Sequence, residues 1–154
     1  QSLVRVRDAF PSGPTFFRVT YDVTCSAAAA LLFRLALGAT DASTAYDNQL
    51  ESVGGTAVTT AQSLAATSYT LSGFSVAGYR HNGTLLLWSP NVVANTIMHS
   101  QTVSQPSAGT ATASSGVYRN GFGHRTATAY ESFTIFAASG NVTVNDLRIE
   151  SLGG

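Results

Sequence analysis

Two stretches of the chain repeat one chemistry. Tyr79-Arg80-His81-Asn82-Gly83 returns as Tyr118-Arg119-Asn120-Gly121, which continues into Phe122-Gly123-His124. Tyr and Arg combine a large contact area with directional hydrogen-bond donors, which favours them where one surface recognises another. The chemistry on offer is noncovalent: aromatic faces to stack, guanidinium and imidazole groups to hydrogen-bond. Trp88, the single tryptophan, closes the run Thr84-Leu85-Leu86-Leu87-Trp88-Ser89 just before Pro90. An indole plane there suits stacking on the C–H-rich face of a sugar, or filling a core or subunit contact. The candidate ligand-binding residues are therefore Tyr79, Arg80, His81, Trp88, Tyr118, Arg119, Phe122 and His124. Packing of the two Tyr-Arg stretches against a neighbouring subunit is the alternative use.

Bond-making chemistry has less to work with. A glycosidase needs two carboxyl groups facing each other at roughly 5–9.5 Å. Asp47 and Glu51 share one face of a strand pattern, about 13 Å apart along it, which is too far. Glu131 could meet either one from another strand. Three histidines and many serines can be combined on paper into a Ser-His-Asp set, but no G-x-S-x-G elbow accompanies them. His81, His99 and His124 lack His or Cys partners at metal-ligand spacing. Asp41 and Asp47 fit no calcium-loop pattern, and the GFG and VGG stretches lack the strand-loop-helix setting of a phosphate cradle. The expectation is a chain without catalysis, metal or cofactor.

Composition narrows the partners. Charged residues make up 10% of the chain, against the roughly 25% usual for soluble domains. The formal net charge is zero, so nothing draws nucleic acid or an anionic membrane from a distance. All eight basic residues are Arg, scattered rather than striped. Ser and Thr supply about a quarter of the residues. Such a hydroxyl-rich, weakly charged exterior suits contact with sister subunits, where charges are costly to desolvate. It also suits neutral hydrogen bonding to sugar. Cys25 is the only cysteine and reads as a buried small hydrophobe, so no intrachain disulfide staples the fold. The most apolar run, Ala27 to Leu37, is interrupted by Arg34 and falls short of the roughly 20 residues of a membrane helix. The chain opens on Gln rather than Met, which suits a processed product or a piece of something longer.

The elements that must carry these residues follow from a period of two. In residues 15–25, Phe17, Val19, Tyr21, Val23 and Cys25 alternate with Phe16, Arg18, Thr20, Asp22 and Thr24, the mark of a strand with one buried face. In residues 30–38, Leu31, Phe33, Leu35 and Leu37 alternate with Leu32, Arg34 and Ala36. Further strands are expected over 4–9, 44–51, 68–76, 84–89, 96–103, 110–117, 125–137 and 142–151. Turn signals separate them at 11–14, Gly38, Gly54-Gly55, Asn82-Gly83, 106–109, Asn120-Gly121 and Ser139-Gly140-Asn141. Asn82-Gly83 between alternating apolar runs predicts a two-residue hairpin, and Tyr118 to His124 a longer, mobile loop. Residues 27–30 read as a loop or lead-in to a strand, and 62–67 as a helical turn. The fold class is all-β: one domain, residues 1–154, an antiparallel β-sandwich of jelly-roll type with about ten strands.

The closing hairpin Tyr130…Phe133-Thr134…Ser139-Gly140…Arg148, with Tyr46-Asp47 and Gln49 before it, resembles the jelly-roll domains that end bacteriophage tail-fibre and other virion surface proteins. The likeness covers about the last two-thirds of the chain. It implies a virion surface domain, typically a homotrimer, contacting other virion proteins and touching host surface glycans through a tail-fibre or receptor-binding tip. Outer-face Leu32 and Phe16 would then offer trimer contacts. Two alternatives remain: a capsid decoration protein that binds nothing outside the particle, and a carbohydrate-binding module of a secreted enzyme.

Overall fold

The stretch TFFRVTYDVTC folds as its alternation requires: Phe17, Val19, Tyr21, Val23 and Cys25 are each at most 1% exposed and face the interior. The computed structural model describes residues 3–54, 57–73, 77–106 and 115–152. These form twelve strands and no helix. In chain order they are β1 (Leu3–Val6), β2 (Phe16–Cys25), β3 (Leu31–Leu37), β4 (Thr40–Asp41), β5 (Tyr46–Gly54), β6 (Ala57–Ala66), β7 (Tyr69–Ser72), β8 (Arg80–Trp88), β9 (Thr96–Gln105), β10 (Gly116–His124), β11 (Ser132–Ala137) and β12 (Val142–Ser151). β1 pairs with β11, β2 with β8, β3 with β7 and β5 with β6, all antiparallel. Each pair nests inside the one before it, the pattern of a long hairpin wrapped into a jelly roll. One sheet runs β1-β11-β3 with β4 and β7 beyond β3; the other runs β12-β2-β8-β9-β10-β5-β6.

The two sheets enclose a core of unequal character. Toward β2, β3 and β11 it is apolar: Phe10, Phe17, Phe33 and Phe133 form a chain of rings with centroids 5.2, 5.8 and 5.3 Å apart. Toward β9 and β10 it is polar, because β9 turns Ser100, Thr102 and Ser104 inward beyond Met98, each at most 1% exposed. There the hydroxyl of Thr102 donates to the carbonyl of Leu71 at 2.7 Å. The side-chain amide of Asn120 donates to Asn48 Oδ1 at 2.8 Å and to the Thr70 carbonyl at 2.7 Å, tying β7 over β5 and β10. Buried polar groups paired in this way fix one register rather than merely filling space.

Several expectations need correction. Asn82-Gly83 is not a turn: both residues lie inside β8, opposite Asp22-Tyr21 and Val103-Thr102. Asn120-Gly121 likewise lies inside β10, opposite Leu50-Gln49 and Ser100-His99, so residues 118–124 are strand rather than loop. None of these four residues has the positive φ that a type I′ turn demands. Gly83 answers a packing demand instead. A Cβ there would meet Tyr21 Oη at 2.6 Å and the Gln101 carbonyl at 2.7 Å, so only glycine lets the Tyr21 ring pass beneath β8. Residues 62–66 are not helical but complete β6, and the strand expected over 125–137 begins only at Ser132. Ser139-Gly140 does turn the chain between β11 and β12, with Gly140 at φ 76°. The turn signals at residues 55 and 107–109, and the strand ends at 74–76 and 110–114, lie outside the described residues.

Candidate functional site

Strand parity sorts the eight candidate residues by face, and it divides them. On β8, Arg80 and Trp88 look outward while His81 looks inward; about 26 Å of strand separates Arg80 from Trp88. They cannot serve one small ligand. Arg80 is anchored to its neighbour strand while its side chain stays 58% exposed: its Nε donates to the Asp22 carboxylate at 2.7 and 3.0 Å, and its Nη2 contacts the same group. Hydrogen bonding from Arg80 holds the Asp22 carboxyl below its ordinary range. Arg119, also outward, pairs with Glu51 across the β10–β5 ladder at 3.1 Å. Tyr79 is buried just before β8, and Tyr118 is partly buried on the inner side of β10.

The two histidines are interior groups. His81 has no exposed surface; its Nδ1 lies 2.8 Å from Ser104 Oγ, and its Nε2 has no partner among the described residues. Burial pushes its pKa down from 6.5 to about 4. His124 is wedged edge-on between the rings of Tyr46 and Tyr130, with centroids 4.6 and 5.3 Å away, and its Nε2 sits 3.0 Å from the Thr44 carbonyl. Burial lowers its pKa as well. Both are buried, His81 completely, while His124 borders the hollow that opens around Phe122 and Ile97.

A stability consequence follows. The folded chain holds His81 neutral where the unfolded chain would protonate near pH 6.5. Its contribution is therefore complete above that pH and is lost as pH falls toward 4, about 3 kcal/mol over the whole interval. Urea unfolding midpoints are expected to drop steadily between pH 6.5 and 4, and His81→Leu to flatten most of that slope, His124 and, toward pH 4, Asp22 adding to it with the same sign.

What the sheet does assemble is a row on its outer face. Phe16 is opposite Trp88, Trp88 opposite Ile97, Ile97 opposite Gly123, and Gly123 opposite Asp47. The row crosses β2, β8, β9, β10 and β5, about 19 Å from end to end. Phe16 and Trp88 are stacked, with centroids 4.6 Å apart and planes 11° from parallel. Ile97 is 59% exposed.

Phe122 joins the row by breaking parity. Its ladder partners Asn48 and Met98 both point inward and are buried, so an ordinary strand residue at 122 would be buried with them. Phe122 instead has φ 111° and is 52% exposed. A non-glycine residue in that region carries about 1–3 kcal/mol of strain, which persists only where the surroundings impose it. Beside it, a Cβ at 123 would lie 2.0 Å from the Thr96 carbonyl, so β9 presses directly on the β10 backbone at this point.

Around Phe122 and Ile97 opens a shallow hollow of about 180 Å³, lined also by Asp47, Asn95, Thr96 and Arg125. Arg125 Nε forms an ion pair with one Asp47 oxygen at 3.0 Å, and the other Asp47 oxygen accepts the Ala65 amide at 3.0 Å. The guanidinium is 54% exposed and keeps donors free for a visitor. The Thr96 hydroxyl is buried at this hollow without a hydrogen-bond partner among the described residues.

Of the eight candidates, then, the structure brings Trp88 and Phe122 onto one face, with His124 buried at the edge of the same hollow. Phe16, Ile97, Asp47, Asn95 and Arg125 join them from positions that spacing alone did not select. Phe16 was legible as an outer-face aromatic, and Ile97 carried a hint as an aliphatic residue sharing its parity with His99, Gln101 and Gln105. Most carboxylates are held by arginines: Asp22 by Arg80, Asp41 by Arg5, Asp47 by Arg125, Glu51 by Arg119, Asp146 by Arg148 and Glu150 by Arg18. Among the described residues no group of three His, Cys, Asp or Glu is placed to hold a metal. Compared with known proteins, the chain matches no protein-family model and no curated protein.

Proposed function

We propose that this chain is a non-catalytic surface domain of a bacteriophage virion, of the tail-fibre or receptor-binding kind, and that it recognises host glycan on the Phe16–Trp88–Ile97–Phe122 row. The observation that carries the reading is Phe122, kept half outside the fold at a strained φ of 111° beside an exposed Ile97 and a stacked indole. Sugar rings offer flat C–H faces that cover such aromatics, and a ring of hydroxyls that need donors and acceptors nearby. Arg125, Asp47 and Asn95 stand at the rim to meet them. Because Arg125 and Asp47 balance each other, the rim suits neutral sugars over strongly acidic ones. Pairing of the carboxylates with arginine supports a binding role, since an acid–base catalyst needs a carboxyl whose pKa lies near working pH. The virion setting rests on the resemblance of the closing hairpin. Shallow sites of this kind become effective through many copies on one particle. An array of host-type glycans tests the reading: wild-type protein should bind a subset of neutral oligosaccharides, and a wild-type protein that binds none would remove it.

A further inference from the structure

The four sheet edges are not guarded alike. An exposed strand edge presents unpaired N–H and C=O groups that invite pairing with another chain, and proteins blunt it with short strands, charges, proline or bulges. β1 has four residues and carries Arg5, while β4 has two and β7 four. β12 is long but bears Asp146, Arg148 and Glu150, and its register shifts between Val144 and Asp146. β6 has no such protection over most of its length. It has ten residues, AVTTAQSLAA, without a charge or a proline, and nine of the ten are exposed. Its pairing with β5 is regular from Ala57 to Ser63 and shifts only beyond, where Ala65 takes φ 54°. Both faces of the strand are open. Ala57, Thr59, Ala61 and Ser63 continue the inward series of β5 yet lie uncovered, and Val58 on the other side is 64% exposed.

We infer that β6 is a self-association edge, and that a second copy of this chain pairs antiparallel with it over Ala57 to Ser63. The occupant is identified by charge and size. A twofold contact brings each residue against its own kind or a near neighbour, so a self-pairing strand must carry no unbalanced charge. Centred on Thr60, the pairing places Thr60 against Thr60, Thr59 against Ala61, Val58 against Gln62 and Ala57 against Ser63. All of these pairs are neutral and sterically small enough to sit opposite one another, and the central Thr–Thr pair is of the kind that stabilises antiparallel ladders. The two seven-stranded sheets would then run on as one, with both outer faces on the same side. The contact is independent of the glycan reading, although it would double that site.

Native mass spectrometry tests this. The wild-type protein is expected at twice the 16.0 kDa chain mass. Thr60→Lys and Thr60→Glu should each be monomeric with unchanged circular dichroism, because the side chain is exposed. Mixing the two variants should restore a dimer. Thr143→Lys on the opposite edge should leave the wild-type mass unchanged. Hydrogen exchange on the wild-type protein needs no variant: alternate amides of 57–63 that point away from β5 should be protected at high protein concentration. A monomeric wild-type protein would overturn the inference, as would a dimer or trimer indifferent to both Thr60 substitutions, or uniformly fast exchange along β6.

Discussion

Phe122→Gly is expected to weaken the proposed glycan binding at least tenfold while leaving the fold as stable as before, and Phe122→Ala to weaken both binding and the fold. At an ordinary strand position alanine is the better residue, by about 0.5–1 kcal/mol, because glycine gives up more freedom on folding. At φ 111° the order inverts, since only glycine adopts that backbone without strain. The glycine variant loses the half of the ring that is buried and gains the relief of about 1–3 kcal/mol of strain, so its net change should lie within about 1 kcal/mol of zero. Loss of one stacking surface should weaken binding at least tenfold, the equivalent of about 1.4 kcal/mol. Urea unfolding of the three proteins, beside an array readout, checks both halves. A glycine variant less stable than the alanine variant would mean that residue 122 is not held there under strain.

Gly83→Ala should be among the most damaging single-methyl additions available in this chain. The new Cβ would stand 2.6 Å from Tyr21 Oη and 2.7 Å from the Gln101 carbonyl. One obstacle is a fully buried ring whose hydroxyl lies 2.5 Å from that of Thr102; the other is the backbone of β9. Neither yields cheaply. Overpacking of a tight core costs about 1–3 kcal/mol, and displacing the Tyr21 hydroxyl adds about 1 more. A total near 3 kcal/mol corresponds to a fall of about 6–12 °C in Tm for a domain of this size. Adding Tyr21→Phe should recover part of the loss, because the hydroxyl is the nearest atom, but not all of it, because the Gln101 carbonyl stays. Calorimetry of the single and double variants reads this directly, and an alanine at 83 that left Tm unchanged would show that Tyr21 passes elsewhere.

These two positions also mark where the amino-acid sequence was legible and where it was not. Strands with one wet and one dry face announced themselves: β2, β3, β9 and β12 fall within a residue or two of their alternation, and the all-β sandwich follows from them. β6 did not, because a strand open to solvent on both sides has no apolar face to repeat. Asn82-Gly83 misled for a specific reason. Asn-Gly is the strongest local hairpin signal, yet the same glycine is what a strand needs when a tyrosine from its neighbour must cross beneath it. Asn120 misled similarly, being a buried amide that bridges β10 to Asn48 and Thr70. For the candidate site, residue type pointed to Trp88 and Phe122, which share the outer row, and to His124, buried at the edge of its hollow, while Arg80, Arg119 and His81 lie away from it. Arginines beside acids on the next strand pair off, and imidazoles on the inward parity are buried. Phe16, Ile97, Asp47 and Arg125 come together only through the register of five strands, which no single stretch encodes.

Trp88 supplies the most direct test of the recognition surface, because it is the sole tryptophan and stands in the middle of the row. Its fluorescence should shift to shorter wavelength and saturate as a neutral host oligosaccharide covers the indole and excludes water, with the shift absent from Phe122→Gly at the same concentrations. An emission spectrum unmoved while an array shows the same sugar bound to the protein would place recognition elsewhere and contradict the assignment of this face.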